Sequence, residues 1–194
     1  YKMNSLQQSE RYKHLNNYLK NKFGERTLKI CIDGNFTCPN RDGTKGTSGC
    51  IFCSERGSGE HISCNHIPSS TESIKSQVLN YFSSYKANRA NKFIAYFQNF
   101  TNTYDTIPNL KAKYDSALID NRIVGLSIAT RPDCINEDIA KLIKSYSNNY
   151  YVCVELGLQT SNDDTGNLIC RGYTSKDFTN AVSILNKYDI DCIA

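Results

Sequence analysis

Three cysteines in a glycine-rich stretch are the residues of this sequence best suited to chemistry. Eleven residues separate Cys38 from Cys50, and two separate Cys50 from Cys53. Three thiolates held by compact backbone can bind three irons of a 4Fe-4S cluster and leave the fourth iron open to another ligand. An open iron indicates catalysis rather than electron storage alone. The apolar residues Ile51 and Phe52 are expected to restrict water at such a cluster.

A zinc site is the alternative that this stretch allows. Two-residue cysteine spacing is common in zinc-stabilised binding modules that carry out no catalysis. The ligands would come from Cys50, Cys53, His61, Cys64 and His66. Against zinc, the segment between Cys53 and His61 is short for a finger hairpin and helix, and the first cysteine of the loop would have no role.

The composition is that of a folded intracellular protein. Of 194 residues, 39% are hydrophobic and 22% charged, which excludes a mostly disordered chain. No apolar run approaches the roughly 18 residues that span a membrane, and the N-terminus lacks the apolar stretch of a secretory signal. Nine cysteines are too few for a secreted disulfide scaffold, so thiolate ligands and a cytoplasmic location are expected. The cysteines expected to be core residues are Cys31, Cys134, Cys153, Cys170 and Cys192.

Strand and helix patterns alternate along the chain, which is typical of an α/β fold. The predicted strands are 28–32, 93–97, 123–129, 151–158 and 190–194, mostly apolar on both faces as in a buried parallel sheet. The helical stripes between them are Ile74, Val78, Phe82 and Tyr85; Leu110, Tyr114 and Leu118; Ile139, Leu142, Ile143 and Tyr146; and Phe178, Val182 and Leu185. The predicted helix starts are Ser69-x-x-Glu72, Pro108, Asn136 and Thr174-x-x-Asp177.

Four crossovers joining five strands fit either an open doubly wound sheet or part of a barrel, and periodicity does not separate the two. The connection after the first strand, residues 33–69, is far longer than the usual 2 to 6 residues or so and contains the three clustered cysteines. Its position places it at the carboxyl ends of the strands, where α/β active sites are built.

Five motifs in this order resemble the radical S-adenosylmethionine (SAM) proteins of the bacterial YhcC/YtqA type, which are similar to the catalytic subunit of elongator. The motifs are Cys38-Pro-Asn-Arg-Asp-Gly-Thr, Cys50-x-Phe-Cys53, Ala95-Tyr-Phe-Gln-Asn-Phe-Thr101, Thr130-Arg-Pro-Asp-Cys134 and Glu155-Leu-Gly-Leu-Gln-Thr160. The resemblance covers nearly the whole chain from residue 28. It departs from the usual superfamily pattern in the wide spacing between the first two cysteines, and Ala129 stands where elongator-like relatives have a glutamate for the cofactor.

The resemblance implies a partial (βα)6 TIM-like barrel at 28–194, of which about five strands are present, behind a basic helical segment at 1–27. It implies a 4Fe-4S cluster on Cys38, Cys50 and Cys53, with SAM on the open iron. Reductive cleavage of SAM would then give a 5′-deoxyadenosyl radical. Because the chain stops inside the fifth predicted strand, a sixth unit and a further segment are expected to follow it.

Cofactor contacts are expected at the carboxyl ends of the strands. Gln98 and the backbone of 99–101, including Thr101, would hold the amino group of SAM, and the planar guanidinium of Arg131 suits its carboxylate. A structural pair of Arg131 with the neighbouring Asp133 is the alternative.

Two further strand ends supply the remaining candidates. Glu155 would hold the ribose, and Gln159, an even number of residues further along the predicted strand, would point the same way. Arg171 is expected at the carboxylate or ribose, or else in solvent on a loop. No residue is assigned as a catalytic acid or base.

The resemblance implies transfer RNA as the substrate, with the C5 side chain of wobble uridine as the group changed. Residues 1–29 have a net charge of +5, compared with +4 for the whole chain. Within this segment Tyr18 and Phe23 lie among the basic residues Lys20, Lys22, Arg26 and Lys29, a mixture typical of nucleic-acid binding. Lys86, Arg89 and Lys92 form a second basic cluster. A flavodoxin or ferredoxin would supply electrons. The alternative is a radical SAM enzyme that acts on a small metabolite or a protein.

Overall fold

Five parallel strands form one sheet in the computed structural model, which describes residues 14–57 and 71–194. The strands are β1 Thr27–Ile32, β2 Lys92–Phe97, β3 Ile123–Thr130, β4 Tyr151–Leu156 and β5 Asp191–Ile193. All five predicted strands are therefore present. Their apolar residues and their lack of proline allow continuous parallel pairing.

The order of the strands decides between the two predicted architectures. Neighbours follow chain order from β1 to β5, and every pair is parallel. A doubly wound sheet would reverse this order part-way. Right-handed crossovers that always step in one direction place their helices on one side, so the sheet forms a barrel wall. The fold is a partial barrel, and among the described residues β5 does not pair with β1.

The helices begin largely where the sequence predicts. Within the described ranges they are α1 Leu15–Phe23, α2 Thr71–Ser83, α3 Ile107–Ala117, α4 Glu137–Tyr146, α5 Asp163–Leu168 and α6 Ser175–Lys187. Asn136 caps α4 by accepting the amide of Ile139 at 2.9 Å, and Thr174 and Asp177 form the predicted capping box of α6. The predicted box at Ser69 lies outside the described residues. The short helix α5 was not predicted.

Two predicted elements need correction. The fourth strand ends at Leu156, not at residue 158, and Gln159 has a left-handed backbone with φ of 65°. Gln159 therefore cannot share a face with Glu155 through strand alternation. Tyr85 belongs to a 3-10 turn, Tyr85–Arg89, and is 74% exposed, so it does not continue the apolar stripe of α2.

The outer face of the sheet carries the apolar core. Its buried members include Ile30, Ile32, Phe93, Phe97, Leu126 and Ile128 from the strands and Leu110, Tyr114, Ile143 and Leu185 from the helices. The inner face is polar. Glu155 accepts hydrogen bonds from Lys29 and from Ser127, the latter at 2.7 Å, and the Lys29 ammonium lies 4.1 Å from the centre of the Tyr96 ring.

Helix α1 packs at the amino-terminal end of the strands. Its Leu19 is buried, and the ring of Phe23 meets that of Tyr151 edge-on at 5.9 Å. Lys92 donates to the carbonyl of Phe23 at 2.8 Å, and Tyr18 donates to Asp191 at 3.1 Å. These partners are the first residues of β2, β4 and β5. The cysteine loop lies at the opposite end of the same strands. The division at residue 27 stays a prediction.

No helix within the described residues is long and apolar enough to cross a membrane.

Asn102 joins the carboxyl ends of β2 and β3. It is fully buried, and its side-chain amide donates to the carbonyls of Phe97 at 3.2 Å and Ala129 at 2.7 Å. Its own carbonyl accepts the hydroxyl of Tyr114, from α3, at 2.6 Å. One side chain therefore satisfies two buried strand-end carbonyls.

Asn102→Ala is expected to lower the free energy of unfolding by about 1 to 3 kcal/mol, because the carbonyl of Phe97 loses its side-chain donor and that of Ala129 keeps only the backbone amide of residue 102. Urea unfolding of the cluster-free protein measures the change. Asn148→Ala, at an exposed turn, is the matched control and should stay within about 0.5 kcal/mol of wild type. Equal costs for the two variants would contradict the role given to Asn102.

Candidate active site

A cavity of about 430 Å³ lies at the carboxyl ends of the strands, between the cysteine loop and the turns after β2, β3 and β4. Its lining includes Cys38, Cys50, Phe52, Cys53, Gln98, Phe100, Thr101, Ala129, Thr130, Arg131, Glu155, Leu156, Gly157, Gln159, Tyr173 and Ile193. All three predicted cluster cysteines border it, as do five of the six predicted cofactor residues. Arg171 does not.

The three cysteines surround this cavity rather than a single point. Among the described residues, no three His, Cys, Asp or Glu side chains are gathered closely enough to hold one metal ion. A cluster of several irons is larger than one ion, so thiolates that border a common cavity suit it better. His61, Cys64 and His66 lie outside the described residues.

The backbone of the cysteine loop is fixed by its own hydrogen bonds. The carbonyl of Cys38 accepts from the amides of Arg41 at 2.8 Å and Asp42 at 3.1 Å. The Arg41 guanidinium donates to the carbonyl of Cys53 at 2.8 Å. Gly49 has φ of +73°, and a Cβ there would lie 2.9 Å from the Arg41 side chain. The left-handed backbone and the nearby Arg41 side chain favour glycine at this position, one residue before Cys50.

Two side chains approach the cysteine sulfurs. Asn40 donates from Nδ2 to Cys50 Sγ at 3.6 Å, and Arg131 directs Nη1 toward Cys38 Sγ at 4.0 Å. Burial raises the pKa of the Cys50 thiol, and the Asn40 hydrogen bond opposes that rise. Asn40 is not among the site residues predicted from the sequence. Its place two residues after Cys38 in the first motif is the signal that could have revealed it.

The predicted shielding by Ile51 and Phe52 is only partly met. Phe52 lines the cavity, but it is 55% exposed and Ile51 is 69% exposed. Within the described part of the chain, these two side chains therefore do not shield the cysteine loop fully from solvent.

Arg131 is buried and makes the structural pair considered as an alternative. Its guanidinium donates to both carboxylate oxygens of Asp133 at 2.9 Å and to the carbonyls of Arg171 at 2.9 Å and Gly172 at 3.3 Å. Burial raises the pKa of the Asp133 carboxyl, but hydrogen bonds from Arg131 and Lys45 outweigh burial and leave that pKa below its usual value. Since Arg131 also lines the cavity, a cofactor contact stays a prediction.

Arg171 is fully buried and does not border the cavity. Its guanidinium donates to the carbonyls of Tyr173 at 2.9 Å, Leu158 at 2.8 Å and Thr160, and to the carboxylate of Asp163 at 2.8 Å. A solvated loop arginine is thereby ruled out. These partners occupy the guanidinium, so the geometry favours a role in shaping the turn after β4, and direct contact with a cofactor stays a prediction.

Thr101 supplies a test of whether the cavity suits a polar cofactor. It borders the cavity, and its hydroxyl is buried without a hydrogen-bond partner among the described residues. A buried unpaired hydroxyl is costly, and a polar ligand in the cavity would satisfy it. The residues therefore fit SAM, which carries amino, carboxylate and hydroxyl groups.

Glu155 lines the same cavity but is not free of partners. Lys29 and Ser127 both donate to its Oε1, so Lys29 neutralises its charge on the inner wall of the barrel. Tyr96 faces this carboxylate, and burial raises the pKa of its hydroxyl well above the usual value. A ribose contact by Glu155 stays a prediction, and it would use the remaining carboxylate oxygen.

The family follows from a comparison of the whole chain. The profile described as Radical SAM superfamily matches residues 40–194, well over half of the sequence. The chain belongs to the radical SAM superfamily. Cys38 lies just outside the matched segment, so its assignment depends on its place at the cavity. Membership of the superfamily implies an iron-sulfur cluster and SAM.

Bacterial relatives of this radical SAM chain match most of it. The protein YtqA of Bacillus subtilis (strain 168) is 38% identical over 183 residues, which cover 93% of this chain and 55% of YtqA. YhcC of Escherichia coli (strain K12) is 36% identical over 156 residues, which cover 80% of this chain and 48% of YhcC. The chain spans about half the length of these curated relatives.

Solved structures confirm the barrel fold. The cobalamin-dependent radical SAM enzyme OxsB, with aqua-cobalamin and SAM bound, superposes with a TM-score of 0.54 at 15% identity, over 86% of this chain and 22% of OxsB. Elp3 of the archaeon Methanocaldococcus infernus superposes with a TM-score of 0.51 at 16% identity, over 86% of this chain and 36% of Elp3.

Arg171→Ala is expected to lower the free energy of unfolding by about 3 to 5 kcal/mol, because three carbonyls lose a donor and a buried cavity opens. Gln159→Asn, which keeps a side chain tolerant of the left-handed backbone, should stay within about 0.5 kcal/mol of wild type. Urea unfolding measures both variants.

Calorimetric titration of SAM into the same two variants distinguishes direct contact with SAM from stabilisation of the turn after β4. Weaker SAM binding by Arg171→Ala at unchanged stability would contradict the supporting role and restore a direct contact.

Proposed function

We propose that this chain binds a 4Fe-4S cluster through Cys38, Cys50 and Cys53 and binds SAM in the adjoining cavity. The observation that carries the proposal is that all three cysteines and five of the six predicted cofactor residues border one cavity at the carboxyl ends of the strands. When bound, the cluster and SAM together supply a 5′-deoxyadenosyl radical that abstracts a hydrogen atom from a substrate.

The protein's own residues position these groups and shield them. The loop backbone orients the cysteine side chains, and Arg131 Nη1 lies 4.0 Å from Cys38 Sγ. Thr101 and Gln159 border the cavity, and the buried hydroxyl of Thr101 has no hydrogen-bond partner among the described residues. Leu156 and Phe100 supply apolar wall, which limits the access of water to a reactive radical.

We further propose transfer RNA as the substrate, with the C5 side chain of wobble uridine as the group that reacts. The motifs shared with the YhcC/YtqA type and the likeness of the fold to Elp3 support this proposal. The polar inner wall formed by Lys29, Ser127 and Glu155 is compatible with a base that offers both hydrogen-bond donors and acceptors.

The basic leading segment supports this proposal less than its charge implies. Phe23 packs on Tyr151, and Lys22 lies 4.3 Å from the centre of the same ring, so neither is a free stacking or phosphate-binding group. Helix α1 also lies at the end of the strands opposite the cavity. A small metabolite or a protein side chain is therefore kept as the alternative substrate class.

Replacing the cysteines tests the cluster assignment. Cys38→Ala, Cys50→Ala and Cys53→Ala should each lose most of the iron and sulfide per chain after anaerobic reconstitution, because each removes one of three thiolates. Cys31→Ala and Cys64→Ala should retain both. Iron loss in Cys64→Ala as severe as in Cys50→Ala would contradict the assignment of the cluster ligands. Bound zinc in place of iron would favour the zinc-stabilised binding module without catalysis.

Mass spectrometry of transfer RNA nucleosides tests the substrate. Cells of the source organism that lack the full-length protein should lose, or accumulate a precursor of, a modified wobble uridine. The full-length wild-type protein should restore the pattern, and its Cys50→Ala variant should not. An unchanged nucleoside profile in the deletion strain would reject transfer RNA and favour the alternative class.

A further inference from the structure

Asn40 lies at the contact between the cysteine loop and the turn before α6. It is only 6% exposed, and its side-chain Nδ2 donates to the carbonyl of Cys170 at 2.7 Å and to Cys50 Sγ at 3.6 Å. Both contacts join segments that are 130 and 10 residues apart in the chain. The amide therefore links Cys50, a proposed cluster ligand, directly to the turn before α6.

The orientation of this amide follows from its surroundings. Exchange of its oxygen and nitrogen would place two oxygens against each other at Cys170, so the NH2 group must face that carbonyl. The oxygen lies over two glycines, where a Cβ would come within 2.7 Å at Gly46 and 3.2 Å at Gly172. The backbone is fixed as well, because the carbonyl of Asn40 accepts the amide of Gly49 at 2.8 Å.

Arg131 approaches a sulfur less closely. Its Nη1 is 4.0 Å from Cys38 Sγ and is already donated to the carbonyl of Arg171 at 2.9 Å. The contact of the Asn40 amide with Cys50 Sγ, at 3.6 Å, is therefore the shorter of the two. Because this amide is neutral, it acts on the sulfur through its hydrogen bond and not through a net charge.

We propose that Asn40 is a positioning residue that raises the reduction potential of the cluster by donating a hydrogen bond to the Cys50 thiolate. The inference rests on the proposed ligation by Cys38, Cys50 and Cys53. Reduction adds one electron and hence negative charge, part of which resides on the thiolate sulfurs. A donor to sulfur stabilises that charge, so the reduced form gains more than the oxidised form.

The experiment is a redox titration of the full-length reconstituted protein, followed by electron paramagnetic resonance of the reduced cluster. A chemical reductant supplies one electron per cluster. Asn40→Leu should shift the midpoint potential to a more negative value at unchanged iron content. Asn40→Asp should shift it further, because a carboxylate near sulfur opposes added charge.

Asn35→Asp is the charge-matched control. Asn35 lies in the same loop and is exposed, and its left-handed backbone with φ of 48° tolerates aspartate. Its shift should be smaller than that of Asn40→Asp. An unchanged potential in an iron-replete Asn40→Leu protein would overturn the inference, as would equal shifts in the two aspartate variants.

A measurement on the wild-type protein covers the case in which the Asn40 variants lose iron. With ¹⁵N in the side-chain amide of asparagine, pulsed electron paramagnetic resonance of the reduced cluster should show a ¹⁵N hyperfine coupling. Its absence would overturn the inference. A wild-type protein that binds no iron-sulfur cluster at all would instead overturn the proposed function, so the two failures are distinguishable.

Discussion

The buried guanidinium of Arg131 is the interaction on which the arrangement of the site depends. It joins the end of β3 to the turn at 171–172 through two backbone carbonyls, and it holds Asp133 by two parallel hydrogen bonds. A guanidinium taken out of water costs several kcal/mol unless its donors are paired, so these partners must come together as the loops fold. The cysteine loop then closes over the same turn through Asn40 and through the amide of Ile51, which donates to Ile169 at 3.1 Å.

The two faces of the barrel wall differ in polarity. The outer face is apolar and packs on helices. The interior of a TIM-like barrel is usually filled by branched apolar residues as well. Here the inner face instead carries Lys29, Tyr96, Ser127 and Glu155 in contact with one another. The ion pair of Lys29 with Glu155 is partly buried, and such a pair gives little net stability because desolvation offsets its attraction. Its place beside the cavity accords with the polar substrate that we propose.

The two ends of the strands have separate tasks. At the amino-terminal end, α1 packs through Leu19 and Phe23 and closes that side of the wall. At the carboxyl-terminal end, the loops leave a cavity bordered by three thiolates. This separation explains why the net charge of the leading segment is a poor guide to where a nucleic acid would reach the reacting atoms.

The sequence by itself determined the strands, the helix caps and the chemical nature of the cysteine loop, because these depend on local patterns. Thr174 and Asp177 form their capping box with neighbours only three residues apart. The five motifs between Cys38 and Thr160, taken in order, likewise indicate the radical SAM family from the sequence alone. Tertiary structure alone decided the strand order, which separates a barrel from a doubly wound sheet. It also decided the roles of Arg171 and Asn40, since their partners at Leu158, Asp163, Cys50 and Cys170 come together only when distant segments fold against each other. A buried arginine and a solvated one have the same side chain in a sequence, and burial with its hydrogen-bond partners is a property of the whole fold.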